Sequence, residues 1–100
     1  MKMWNKKLLT VITEQRLEKE ITDVVKDMGA HGYTLTDARG EGHRGVRSGS
    51  WDETGNIRIE IVCEADVAER IAEKLQKDFY ANYAMILYVS DIQTMRDEKF

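Results

Sequence analysis

A stretch rich in glycine and arginine in the first half of the chain limits the secondary structure that the adjacent residues can adopt. Residues 33–38 (YTLTDA) alternate threonine with larger side chains, which indicates a β-strand. Glycines and basic residues then interleave: Arg39, Gly40, Gly42, His43, Arg44, Gly45 and Arg47. Glycine lets backbone N–H groups approach a ligand, and arginine offers a fixed fork of donors to phosphate. The pattern is typical of a phosphate-binding loop and equally of a flexible hairpin loop with solvated charges.

The loop that begins at Arg39 is long. The far half of residues 39–56 is polar apart from Trp51. Connections beyond about 12–15 residues are uncommon in compact domains and are usually either functional or disordered. We therefore expect this loop to do more than join two strands.

The remaining apolar residues predict four strands and two helices. The strands are residues 7–12, 33–38, 57–62 and 83–89. The first helix has Thr13 as its N-cap and these apolar positions on one face: Leu17, Ile21, Val24, Val25 and Met28. The second helix has a similar face: Val67, Ile71, Ala72, Leu75 and Phe79.

The resulting order is β-α-β-β-α-β. It predicts an α+β, ferredoxin-like fold, in which an antiparallel four-stranded sheet carries both helices on one face. We expect a single domain over residues 1–100 that ends in a short charged tail at residues 90–100. Residues 83–89 supply apolar side chains to both faces of their strand, so the open face of the sheet is expected to pack against other subunits.

Composition excludes several classes of function. The net charge of −3 argues against a general nucleic-acid surface, which is normally basic. No apolar run is long enough to span a bilayer, so no direct membrane insertion is expected. Cys63 is the single cysteine, which permits no internal disulfide and makes a reducing, cytoplasmic setting the default. Neither a metal-ligand spacing nor a nucleophilic arrangement stands out, so we predict binding without catalysis, metal or prosthetic group.

Two segments resemble a known family. GAHGYTLTDARGEGHRG resembles the second strand and the T-loop entry of PII signalling proteins, where a GxxGxT motif leads to phosphate-binding residues. NIRIEIVCEADVAERIAEKL resembles the strand and helix that follow that loop. The closer resemblance is to the PII-like proteins of inorganic-carbon metabolism, the SbtB-type and carboxysome-associated proteins, and it runs from Lys7 to about Ser90.

The resemblance implies a homotrimer whose sheets face a central axis and whose inter-subunit clefts bind adenine nucleotides as effectors. Bicarbonate is a candidate second ligand. The expected function is non-enzymatic signalling in the control of carbon concentration. The order of the T-loop, residues 39–56, would report the ligand to a partner such as a bicarbonate transporter or a carboxysome-linked protein.

The resemblance also assigns site residues. The phosphate-binding set is Arg44, Arg47, Gly40, Gly42 and His43. The adenine and ribose pocket is Gly32, Tyr33, Thr34 and Val62, with Tyr83, Ala84 and Met85.

This chain departs from ordinary PII proteins before its last strand. Residues 78–83 (DFYANY) lack the glycines and lysine that grip a triphosphate there, so AMP, ADP or cyclic AMP is favoured over ATP. One alternative is a trimeric CutA-like metal-handling protein or small enzyme on the same fold. Another is a structural oligomer whose loop only protects the sheet edge.

Overall fold

A computed structural model describes residues 1–41 and 55–97. The strands are β1 (Trp4–Glu14), β2 (Thr34–Ala38), β3 (Asn56–Cys63) and β4 (Met85–Thr94). The helices are α1 (Glu18–Asp27), which a 3-10 turn (Gln15–Leu17) precedes, and α2 (Ala65–Phe79). Most of the long loop, residues 42–54, and residues 98–100 lie outside the described parts of the chain.

The four strands form one antiparallel sheet in the order β2-β3-β1-β4. At the centre of β1, Val11 pairs with Ile59 on one side and with Leu87 on the other. This arrangement confirms the predicted α+β, ferredoxin-like fold. We call the edge of the sheet where β2 ends and β3 begins the loop end; it is marked by Glu14, Ala38, Asn56 and Met85.

The core lies between the sheet and the two helices. Alternate residues of β1 and β3 point to it, because successive strand side chains face opposite ways. The fully buried side chains are Leu9, Val11, Ile57, Ile59 and Ile61 from the sheet, with Ile21, Val25, Ile71 and Leu75 from the helices. Burial of each such side chain contributes about 1.5–3 kcal/mol.

The start of the first helix differs from the prediction. Thr13 is not an N-cap but a buried residue of β1, where it pairs with Ile57 and Met85. Its hydroxyl donates a hydrogen bond to the Ala84 carbonyl at 2.6 Å. The residue at the N-cap of α1 is Leu17, which makes no side-chain capping bond. Strand pairing thus places Thr13 in β1, although the local sequence predicts it to be the N-cap of the helix.

The last strand is also longer than predicted. It continues to Thr94, so the first part of the segment expected to be a tail, residues 90–94, is strand. The reason is that β1 begins at Trp4 and provides pairing partners as far as Thr94. Four of the five residues in this part of β4 are polar, with Ile92 the exception, which conceals its strand character in the sequence.

The face of the sheet away from the helices carries apolar side chains. Leu8, Ile12 and Val62 are half-buried there, and Ile86 and Tyr88 remain 48% and 46% exposed. Large apolar residues grouped on an exposed sheet face are typical of an interaction surface. This face is hereafter called the open face.

We expect replacement of Thr13 by valine to lower the free energy of unfolding by about 1–3 kcal/mol, because the Ala84 carbonyl loses its buried donor while the side-chain shape is kept. Chemical denaturation at a fixed protein concentration measures the change. Thr36→Val, at an exposed position of β2, is the matched control and should change stability by less than about 0.5 kcal/mol. Equal effects of the two substitutions would contradict the assignment.

Candidate functional site

The loop end holds both boundaries of the segment predicted to bind phosphate. Gly40 follows β2 and is exposed, and a side chain at this position would meet nothing within 4 Å. On the returning side, Gly55 has a positive φ of 76°, which glycine adopts without steric cost. The Gly55 carbonyl accepts a hydrogen bond from the Gln15 backbone N–H at 3.1 Å. The return of the loop is thereby fixed to the turn that precedes α1.

A buried carboxylate organises the neighbouring corner of the sheet. The fully buried Glu14 accepts hydrogen bonds from the Ala84 backbone N–H at 2.7 Å and from Arg16 Nε at 2.8 Å. Because Thr13 donates to the Ala84 carbonyl, both backbone polar groups of Ala84 are bonded within the subunit. The segment that enters β4 is therefore held to β1 by side chains as well as by strand pairing.

The three predicted pocket residues of this segment differ in exposure. Ala84 is fully buried and Met85 is 6% exposed, and both lie against the core. Tyr83 is half-buried, with its ring centroid 5.8 Å from that of Phe79. The Arg16 guanidinium lies 5.3 Å from the Tyr83 ring centroid, within cation–π distance. Only the Tyr83 side chain of the three reaches the surface of the subunit.

A hollow of about 250 Å³ lies on the open face at the loop end. Ile12 and Ile86 form its apolar part, and its polar lining is Arg39, Glu41, Asn56 and Arg58, next to Gly40. Asn56 is 6% exposed, and its Oδ1 accepts no hydrogen bond from any described residue. A buried acceptor without a donor costs about 1–3 kcal/mol.

The other predicted pocket residues lie away from the loop end. Gly32 and Tyr33 are exposed and precede β2, and Thr34 begins β2 opposite Glu60. Val62 lies two residues further along β3, half-buried on the open face. The start of β2 is about 13 Å from its loop end, at about 3.4 Å per strand residue.

The predicted pocket therefore divides into two groups. Gly32, Tyr33, Thr34 and Val62 lie beside the β2 edge. Tyr83, Ala84 and Met85 lie at the loop end beside the β4 edge, about 14 Å away across three strand spacings. The two groups occupy diagonally opposite corners, and one subunit does not bring them together. Four members of the phosphate set, Gly42, His43, Arg44 and Arg47, lie outside the described residues.

Sequence reasoning missed several residues of the loop end. Asn56 precedes the clear apolar alternation of β3 and is predicted to belong to the loop, although it begins the strand. The sequence presents Arg58 only as an outward strand residue, and Glu14 and Arg16 as solvated positions of the first helix. These residues are recognised only from the pairing of β1 with β3 and β4. That pairing is not encoded in any short stretch of the sequence.

A second hollow, of about 490 Å³, lies at the opposite end of β1 beside Lys6, Lys7, Glu64 and Asp91. Lys6 is 6% exposed and forms ion pairs with Asp97, at 2.8 Å, and with Glu64. Hydrogen bonds to Asp97 and then to Glu64 raise the pKa of Lys6. These ion pairs hold the segment after β4 to the start of α2. We therefore interpret them as contacts that stabilise the fold.

Other chemistry has little support in the described parts of the chain. Residues 1–41 and 55–97 contain no group of three or more histidine, cysteine, aspartate or glutamate side chains placed to hold a metal ion. Burial raises the pKa of the Cys63 thiol, which keeps it protonated and unreactive. Within the same residues, no helix is both long enough and apolar enough to cross a membrane.

Solved structures of similar proteins cover almost the whole chain. A PII-like signaling protein from Thermus thermophilus is 45% identical, with a TM-score of 0.85, and the match covers 100% of this chain and 99% of that one. CPII from Thiomonas intermedia K12, bound to ADP, AMP and acetate, is 25% identical with a TM-score of 0.85, over 100% of this chain and 98% of that one. CPII bound to ADP and bicarbonate is 27% identical with a TM-score of 0.84, over 99% and 97%.

The sequence profile of a single family spans nearly the same length. It is described as nitrogen regulatory protein P-II and matches residues 6–99. The matched residues include β2, β3, β4 and both helices, together with β1 from Lys6 onward. Together with the fold and the similar structures, it confirms the resemblance of residues 29–45 and 56–75 to PII signalling proteins: the chain belongs to the nitrogen regulatory protein P-II family.

Proposed function

We propose that this chain is a homotrimeric, non-enzymatic signalling protein that binds AMP, ADP or cyclic AMP in clefts between neighbouring subunits. Bicarbonate is the second ligand in this proposal, and inorganic-carbon regulation is its setting. The observation that carries the proposal is the set of CPII structures that contain ADP, AMP or bicarbonate, in a protein that matches this chain end to end.

The division of the predicted pocket supports a site between subunits. An adenine ring is much smaller than the distance between Gly32–Thr34 and Tyr83–Met85, so these residues cannot surround one base within a single subunit. A neighbouring subunit packed through the open face would bring one corner of its sheet to the opposite corner of the first. The exposed Ile86 and Tyr88 of that face supply apolar area for such packing.

In this proposal the phosphate is bound at the base of the T-loop. Arg44 and Arg47 would form charge-assisted hydrogen bonds to it, and Gly40, Gly42 and His43 would donate backbone N–H groups. The exposed position of Gly40 next to the end of β2 supports an approach of the ligand to its backbone. Residues 39–56 would then change their contacts with the ligand and present that change to a partner protein.

The corner around Ala84 supports a preference for nucleotides with fewer phosphates than ATP. The Ala84 N–H donates to Glu14 at 2.7 Å, and Tyr83 packs on Phe79. This segment lacks the lysine of ordinary PII proteins, and the Ala84 N–H is already bonded to Glu14, so neither group is available to a terminal phosphate. Three phosphates would place more negative charge here than the segment can match.

Calorimetric titration of the protein with AMP, ADP, ATP and cyclic AMP tests the proposal. We expect at least one of AMP, ADP and cyclic AMP to bind more tightly than ATP. Arg44→Ala and Arg47→Ala should each weaken that binding about tenfold or more, since a hydrogen bond to a charged group contributes about 1.5–3 kcal/mol. Arg70→Ala is the control, because Arg70 is an exposed residue of α2 that pairs with Asp66.

Absence of heat with all four nucleotides would overturn the proposed function. Parental affinity in both arginine variants would overturn the phosphate assignment. Steady hydrolysis of ATP would instead establish an enzyme on this fold.

The trimer is tested separately by light scattering. We expect a single species with three times the 11.6 kDa mass of the subunit. Tyr88→Glu places a charge on the open face and should shift the mass toward that of the subunit, whereas Tyr80→Glu, at an exposed tyrosine that follows α2, should not. A monodisperse monomer of the unaltered protein would remove the inter-subunit cleft.

A further inference from the structure

We infer that Arg16 couples Tyr83, at the entry to β4, to Gly55, the residue at which the long loop returns to the sheet. Arg16 acts as a positioning residue: a change at the Tyr83 ring alters the hydrogen bond that holds Gly55. The inference rests on the proposed function for one step only, the contact of a nucleotide with Tyr83. The coupling between the two residues depends on contacts within one subunit.

Two contacts tie the Arg16 guanidinium to the entry of β4. Its Nε donates a hydrogen bond to the Glu14 carboxylate at 2.8 Å, and its guanidinium carbon lies 5.3 Å from the centroid of the Tyr83 ring. The other carboxylate oxygen of Glu14 accepts the Ala84 N–H at 2.7 Å. Because residues 83 and 84 are adjacent in the chain, these contacts form a closed circuit, and the members of such a network are coupled more strongly than an isolated pair.

The circuit is built on a buried charge, which restricts how its members can move. Glu14 is fully buried, and a buried carboxylate is stable only where it is paired and hydrogen-bonded. The Arg16 side chain is 51% exposed, so without these contacts it would adopt many rotamers in solvent. The contacts with Glu14 and Tyr83 instead hold it against the surface of the subunit.

Gln15 lies between these two charged residues and holds the returning loop. Its backbone N–H donates to the Gly55 carbonyl at 3.1 Å. A methyl group added at Gly55 would lie 3.0 Å from Gln15 Oε1, so residue 55 packs directly against the turn. Glu14 and Arg16 flank Gln15 in the sequence and bond to each other across it. A displacement of Arg16 therefore reaches the amide that holds Gly55.

This arrangement connects a ligand at the entry of β4 to the return of the loop. A nucleotide that packs on Tyr83 restrains the ring, and with it Arg16 and the turn. Gln15 is exposed, so the protection of its amide from hydrogen exchange depends on the bond to Gly55. Hydrogen exchange at this one amide therefore measures the coupling.

The first test needs no ligand and is a double-mutant cycle, read by NMR from the exchange of the Gln15 amide. We expect Tyr83→Leu to accelerate this exchange at least about fivefold, but less than about twofold when Arg16→Gln is already present. Glutamine keeps an N–H donor for the buried Glu14 carboxylate. Tyr80→Leu, at an exposed tyrosine that follows α2, is the matched control and should leave the exchange unchanged.

The Ala68 amide, which bonds to the Glu64 carbonyl at 3.0 Å at the start of α2, is the internal reference. A loss of global stability would accelerate exchange at Gln15 and Ala68 alike, whereas the coupling accelerates it at Gln15 alone. Should Arg16→Gln not fold, Arg16→Lys replaces it, because lysine keeps the charge but lacks the planar group that stacks on a ring.

The second test adds ADP, with saturation of each variant established by calorimetry. ADP should slow exchange of the Gln15 amide at least about threefold in the unaltered protein and less than about 1.5-fold in Arg16→Gln. Binding without this slowing, or slowing that Arg16→Gln preserves, would overturn the inference.

The cycle without ligand has its own contrary outcomes. Equal acceleration of the Gln15 and Ala68 amides, equal effects of Tyr80→Leu and Tyr83→Leu, or a full Tyr83→Leu effect in the presence of Arg16→Gln would each overturn the coupling. Failure of the proposed function is read separately, as absence of ADP binding by the unaltered protein, and the cycle still decides whether Arg16 couples the two residues.

Discussion

The pairing of β1 on both of its edges is the interaction on which the rest of this structure depends. β3 pairs along one edge and β4 along the other, each in a continuous antiparallel register. Leu9 and Val11 of β1 then face the helices and are fully buried, while Leu8 and Ile12 lie half-buried on the open face. Thr13 and Glu14 at the end of β1 hold the entry to β4 through Ala84, and Gln15 in the turn that follows holds the return of the long loop through Gly55. Core, open face and loop end all follow from this one strand.

Much of this architecture could be predicted from the sequence. Ile57, Ile59 and Ile61 alternate with polar residues, and such alternation identifies a strand with one buried face before any pairing is known. The apolar faces of both helices are equally clear, and together they determine the fold class. The glycines and arginines after residue 38 predict a binding loop, and this stays a prediction because residues 42–54 lie outside the described parts of the chain.

The local sequence does not reveal which polar residues tertiary contacts bury. Thr13 looks like a helix cap, but strand pairing with β3 and β4 includes it. Its hydroxyl donates a hydrogen bond to the Ala84 carbonyl instead of capping a helix. Glu14 looks solvated and is fully buried, because the backbone N–H of the distant Ala84 and the nearby Arg16 side chain both donate to its carboxylate. Asn56 looks like loop, yet it begins β3 with a buried oxygen to which no described residue donates. For Thr13 and Glu14 the physical cause is the same: each polar side chain is buried where it bonds the backbone of Ala84, which is not adjacent in sequence.

The central claim is that a nucleotide site is completed by opposite corners of two subunits, and subunit mixing tests it most directly. A side chain added at Gly32 or at Gly40 meets no atom within 4 Å inside the subunit, so Gly32→Glu and Gly40→Glu should each block the cleft while leaving the subunit folded. Each variant alone should form a trimer that does not bind ADP. The two variants are co-expressed with different tags and purified through both.

In a cyclic trimer that contains both variants, one cleft joins an unaltered loop end to an unaltered Gly32 corner of the neighbouring subunit. We therefore predict that the mixed trimer binds one ADP with parental affinity. If the site lay within one subunit, every site in the mixture would retain a blocking glutamate. A mixed trimer that binds no ADP, prepared from variants of a parent that does, would contradict the account.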